Sequence, residues 1–250
     1  VGLRMKKIGN ILVVVGLALL LSSCASVRDQ DGQLDMKVAQ AAERSNHPEI
    51  AVKNYESVLA ENPRDAKVQQ KLVILYQRLK ENQKALALLK KMLKEGDNAF
   101  ASYYYARVTE DMGLPNIAIE HYLELNESAE YQAKSLNNLA VILAKEGKNN
   151  IAQKCFYTGL KRYPENTSLR YNAALSLALN PGDDLSLAHK MRSLLKNSES
   201  VEIRKLLEFK NQDTKSKRED TEGSKQSSSN IKIDANLLKS IQQLCDSEKV

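Results

Sequence analysis

Three sets of residues in this chain could do chemistry: three cysteines, three histidines and a few adjacent carboxylates. Cys24 closes the run Leu21-Ser22-Ser23-Cys24, behind the apolar stretch Ile11 to Leu21 and the cations Arg4, Lys6 and Lys7. A thiol behind two small residues at the end of such a run is placed for one covalent modification, not for turnover. His47, His121 and His189 each stand without a cysteine or carboxylate at metal-ligand or triad spacing. Glu110-Asp111 are adjacent, so on a helix they point in different directions and make a poor acid/base pair. There is no Gly-rich phosphate loop, nucleophile elbow or zinc motif. The expectation is a noncatalytic chain with no metal, no cofactor and no small-molecule substrate.

Ile8 to Leu21 is 14 residues long, whereas a bilayer-spanning helix needs roughly 20 apolar residues. Basic n-region, apolar h-region and small residues before the cut occur in signal-peptide order. The block resembles the bacterial lipobox. That resemblance implies a diacylglyceryl group on Cys24, removal of residues 1–23, and a lipidated tether over 24–31. Acyl chains contribute ~0.8 kcal/mol per buried CH₂, and two or more make a stable anchor. Ala25, where an aspartate would retain the protein in the inner membrane, implies the outer membrane with the protein facing the periplasm.

Without Arg4, Lys6 and Lys7 the chain keeps 34 basic against 31 acidic residues. The basic residues form no stripe with interleaved aromatics, which argues against a nucleic-acid partner. Cys155 and Cys245 would lie in an oxidising compartment, where a disulfide is allowed. Ninety residues separate them and the second lies beyond a polar stretch, so Cys155 is read as a buried free thiol.

The elements that carry these residues repeat. Ala51, Ala85, Ala118, Ala152 and Ala188 fall at spacings of 34, 33, 34 and 36 residues, the period of a tetratricopeptide helix-turn-helix unit. Tyr55, Leu89, Tyr122 and Phe156 follow four residues after the first four alanines, and Gly113 and Gly147 precede theirs by five. The best unit runs from Leu136-Asn137-Asn138-Leu139-Ala140-Val141 through Gly147, Ile151-Ala152 and Phe156 to Tyr163-Pro164. It resembles the tetratricopeptide consensus. The fold class expected is all-α, a right-handed superhelical solenoid of about five repeats over residues 32–209, with no strand signal. The first and fifth units are atypical: the leading helix Leu34 to Arg44 is weak, and Arg192 holds the aromatic place, as expected of terminal repeats.

In such repeats the first helix of each unit lines a concave, partner-binding wall. The resemblance places Lys71 there from the second repeat, with Tyr103, Tyr104 and Arg107 from the third. The fourth supplies Lys134, Asn137 and Asn138, and the fifth Tyr171 and Asn172. Asn138 and Asn172 match the asparagine with which family members hold a bound peptide's backbone, an amide offering both donor and acceptor. Tyr104 and Tyr105 are open to two readings, interface aromatics or packing between repeats.

Residues 210–230 hold no large apolar side chain and read as a disordered polar linker. Beyond it, in the 231–250 segment, Asp234 can cap a short amphipathic helix with Leu237, Leu238, Ile241, Leu244 and Cys245 on one face. This helix is either a docking peptide for a partner or, the preferred reading, a last helix covering the exposed end of the stack.

Lipobox, repeat number, and the segments Leu139-Ala140-Val141-Ile142-Leu143-Ala144 and Ala173-Ala174-Leu175-Ser176-Leu177-Ala178-Leu179 together resemble the TadD-like tetratricopeptide lipoproteins of tight-adherence (Flp) pilus assembly. The resemblance implies a noncatalytic outer-membrane scaffold whose partners are a secretin or other pilus components. A type IV pilus pilotin, or a periplasmic adaptor for cell-wall enzymes, fits the same features.

Overall fold

The computed structural model describes residues 32–179, 183–196, 200–208 and 233–246. The expected signal segment with Cys24, the expected 24–31 tether and the expected 210–230 linker lie outside them. Among the described residues all regular structure is helical. The chain divides between Leu88 and Leu89 into two compact units.

The first unit holds α1 (residues 32–44), α2 (Pro48–Glu61), α3 (Ala66–Arg78) and the opening turns of α4 (Asn82–Lys94). The second unit carries α5 (Ala99–Asp111) and α6 (Pro115–Glu124), followed by a short 3₁₀ turn at Leu125–Glu127. It continues with α7 (Gln132–Lys145), α8 (Asn149–Arg162), α9 (Thr167–Leu179), α10 (Leu185–Leu195), α11 (Val201–Glu208) and α12 (Ala235–Cys245).

One turn geometry recurs between paired helices. Asn46, Lys80, Gly113 and Gly147 have φ of 59°, 60°, 75° and 70°. At each, the next residue's N–H reaches back five residues to a carbonyl: His47 to Ala42, Glu81 to Tyr76, Leu114 to Thr109 and Lys148 to Leu143. This is the helix-ending motif that needs a left-handed residue, which glycine adopts without strain. Its spacings of 34, 33 and 34 repeat the alanine register. Starts are set as locally: Asp65 accepts from the N–H groups of Lys67 and Val68, Asn98 from Ala101, Asp184 from Leu187, and Pro48 and Pro115 open α2 and α6.

Ala51, Ala85, Ala118 and Ala152 are fully buried, and so are Ala39, Val73, Ala106, Ala140 and Ala174 on the first helices. Small side chains at these places let paired helices approach, and Tyr55, Leu89, Tyr122 and Phe156 fill the space beside them. In the fifth unit Ala188 is still buried while Arg192 is only half-buried, as a terminal repeat allows. Leu34 and Val38 of α1 remain exposed, unlike the buried Leu139 of the fourth unit, since no earlier described helix covers them.

In the second unit α7 packs against both α8 and α9, and α8 against α10, so first helices form one layer and second helices the other. The carboxy-terminal segment corrects two expectations. Helix α12 does fold back, but onto α6 and α8, on the second-helix face; it is α11, packed on α9, that continues the stack. Cys155 is not a free thiol: it forms a disulfide with Cys245, and both are fully buried. The fold-back brings the two sulfurs together, a proximity that a separation of 90 residues conceals.

Candidate partner-binding face

The residues expected to line a groove fall into both units. In the first, Lys71 on α3 is engaged by Glu43 of α1, Nζ to Oε2 at 3.0 Å, and the same carboxylate accepts from the Tyr55 hydroxyl at 2.6 Å. Lys67 and Arg44 are exposed beside this pair, lining a cleft with Gln40. Burial first, and then the Glu43 hydrogen bond, raise the Tyr55 hydroxyl above its ordinary value, so it stays protonated as the donor.

In the second unit the first helices bring the rest together. Phe100 and Tyr104 of α5 lie 4.4 Å apart between ring centroids, and Tyr103 meets Tyr104 edge-on at 5.3 Å. Tyr103 also lies 4.9 Å from Tyr131, which ends the loop before α7. Lys134 sets its ammonium 4.7 Å from the Tyr131 ring centre and 5.7 Å from that of Tyr103, within cation–π range. Tyr103 is buried and Tyr104 half-buried, while Arg107, Lys134 and Tyr171 are exposed. Tyr105 lies 4.6 Å from the His121 ring, a contact between α5 and α6 of one repeat rather than between repeats.

The asparagines are joined to one another. Asn172 Nδ2 on α9 donates to Asn137 Oδ1 on α7 at 2.9 Å, and Asn137 Nδ2 donates to Asn138 Oδ1 at 3.2 Å. Asn138 Nδ2 donates to the Tyr122 hydroxyl at 2.8 Å, and that hydroxyl donates to Glu110 Oε2 at 3.5 Å. Lys145 closes the chain on Glu110 Oε1 at 3.0 Å. Burial above all, with Glu110 adding to it, raises the Tyr122 hydroxyl well above its ordinary value, against the opposing Asn138 bond. It therefore remains a donor. Asn137 is buried, so its part is to order Asn138 and Asn172, and the half-buried Asn138 keeps one N–H and one oxygen lone pair beyond these two bonds.

Sequence reasoning passed over Tyr131 and the Tyr122–Glu110 contact. Tyr131 precedes α7 and so falls outside the first-helix positions, although an aromatic three residues before a lysine at a helix start was a usable signal. Among the described residues no group of three or more histidines, cysteines or carboxylates could hold a metal. No described helix is long and apolar enough to cross a membrane.

Paired helices recurring every 33–36 residues, with a polar and aromatic first-helix face, define a tetratricopeptide-type helical repeat fold. The tetratricopeptide-repeat family pattern matches residues 44–108. A solved MamA protein superposes with a TM-score of 0.52 at 15% identity, covering 78% of this chain and 100% of that one. The MamA RS-1 ArsTM double mutant gives a TM-score of 0.56 at 16% identity, covering 66% of this chain and 93% of its own. At such identities the likeness is one of fold. No curated protein matches the chain.

Proposed function

We propose that this tetratricopeptide protein is a noncatalytic scaffold, lipid-anchored through Cys24 in the outer membrane and facing the periplasm. It binds protein partners through its first-helix face and supports assembly or localisation of the Flp/Tad pilus secretion apparatus. The observation that carries the reading is the second unit's first-helix face, where exposed Arg107, Lys134 and Tyr171 surround an already ordered asparagine ladder. Lys134 lies over the Tyr131 and Tyr103 rings and Arg107 of α5 is hydrogen-bonded to the Tyr103 side chain, both cations being exposed, so a partner's carboxylate has two cations to meet. Pre-ordering of the amides lowers the entropy lost on binding. The Cys155–Cys245 disulfide supports an oxidising compartment, and the Leu139-to-Ala144 and Ala173-to-Leu179 segments support the pilus assignment.

The test is photocrosslinking in the native cell from a reactive residue replacing Tyr171, with and without Lys134→Glu, and identification of the captured protein by mass spectrometry. Capture of a secretin or another Flp pilus component, lost with Lys134→Glu, is expected. Capture of a type IV pilus secretin would move the protein to the pilotins, and capture of peptidoglycan enzymes would make it a cell-wall adaptor.

A further inference from the structure

Helix α12 is pinned at both ends onto two different repeats. At its start the Asp234 backbone N–H donates to Asn116 Oδ1 of α6 at 3.2 Å, while the Asp234 carboxylate caps the helix through Asn236 and Leu237. At its end three contacts converge on α8: the Cys155 disulfide, the Thr158 hydroxyl donating to the Cys245 carbonyl at 2.9 Å, and Lys154 paired with Asp246 at 2.9 Å. Between them Ile241 is fully buried, and Leu237, Leu238 and Leu244 are half-buried against the core. The helix thus spans from the third repeat's second helix to the fourth's, opposite the face described above.

We propose that the second-helix face of α6 and α8 is a helix-docking site whose occupant is the chain's own residues 233–246, and that the disulfide keeps it filled. So held, the segment is a strap that fixes the third and fourth repeats against each other. Three observations favour a lock over a helix seated by its apolar face alone. An 11-residue helix is marginal by itself in water. It seats only two fully buried side chains, one of them Cys245 itself. Residues 209–232, a tether of 24 residues in sequence, separate it from α11, so the chain itself joins it to the stack only remotely. The bond replaces that tether with a covalent junction at the seat.

Opening the lock is a two-electron reduction. A dithiol attacks one sulfur, the Cys155–Cys245 bond breaks, and both cysteines leave as thiols carrying the two protons while the dithiol becomes a disulfide. Both sulfurs are buried, so the end of α12 must fray before a reductant reaches them.

The experiment is hydrogen exchange followed by mass spectrometry on the full chain, in three forms: oxidised, reduced with a dithiol, and carrying Cys155→Ser with Cys245→Ser. Amides of residues 238–245 should exchange at least tenfold faster in the reduced and serine forms, with a smaller rise in α6 and α8 and none in α7 and α9. Unchanged exchange in 238–245 would overturn the proposal, because the apolar face would then hold the segment unaided. Loss of protection throughout residues 89–208 would overturn it too, making the bond a requirement of the fold. The readout uses no partner, so it stands or falls independently of the binding face.

Discussion

Asn172 on α9 donates to Asn137 on α7 across 2.9 Å, coupling the first helices of successive repeats through side-chain amides. The bond heads a ladder that runs through Asn138 and Tyr122 to Glu110. The candidate face is thus ordered from within.

Asn137→Ala should remove two rungs and leave both neighbouring amides short of a partner, destabilising the protein by about 1–3 kcal/mol. Asn138→Ala should weaken partner binding and also lower stability by about 1 kcal/mol, since Tyr122 loses its donor. Thermal unfolding beside a binding assay checks both. A wild-type melting curve for Asn137→Ala would show that the ladder is incidental.

The register is tested at Ala152, which is fully buried where α7 meets α8. Ala152→Arg should cost about 3 kcal/mol or more, because a long charged chain has neither room nor partner there. Circular dichroism melting reads the loss.

The turn motif makes a paired prediction. Gly147→Ala places a side chain at φ 70° and should destabilise by about 1 kcal/mol. Lys80→Gly at φ 60° relieves the same strain and should raise the melting temperature, though the glycine's extra freedom when unfolded offsets part of the gain.

Tyr122 predicts an alkaline response. Its folded pKa is raised above the ordinary 10.0, so the stability it confers is complete below pH 10.0. As pH rises from 10.0 toward the folded value, the unfolded chain loses its proton first and that stability is lost. Melting temperatures measured across this window should fall more steeply for wild type than for Tyr122→Phe, and parallel curves would show the hydroxyl to be uninvolved.

Cys24→Ala should leave the signal segment attached and the protein absent from the outer-membrane fraction. Normal processing and sorting of that variant would sink the lipoprotein reading.

The repeat was legible because one steric demand recurs: alanine at the helix crossing, an aromatic or leucine four residues on, and a left-handed residue at the turn. Asn46 and Lys80 fill that turn position without being glycine, so their equivalence to Gly113 and Gly147 emerged only from backbone geometry. The exposure of the candidate face was legible in part. Lys134 and Arg107 are exposed as the register implies, but Tyr103 and Asn137 are buried beneath them and act as supports. A helical register specifies a face, and how far a side chain sinks depends on its neighbours from other helices.

By itself the sequence determined the all-α class, the hairpin period, the capped amphipathic helix at Asp234 and the candidate cations of the face. These follow from local sterics and capping, which act within one or two turns of chain. Tertiary structure decided that α12 lies across α6 and α8, that Cys155 and Cys245 are bonded, and that three asparagines and a tyrosine form one ladder. Each joins residues far apart in the chain or on different helices, and only packing of the helices fixes the distances between them.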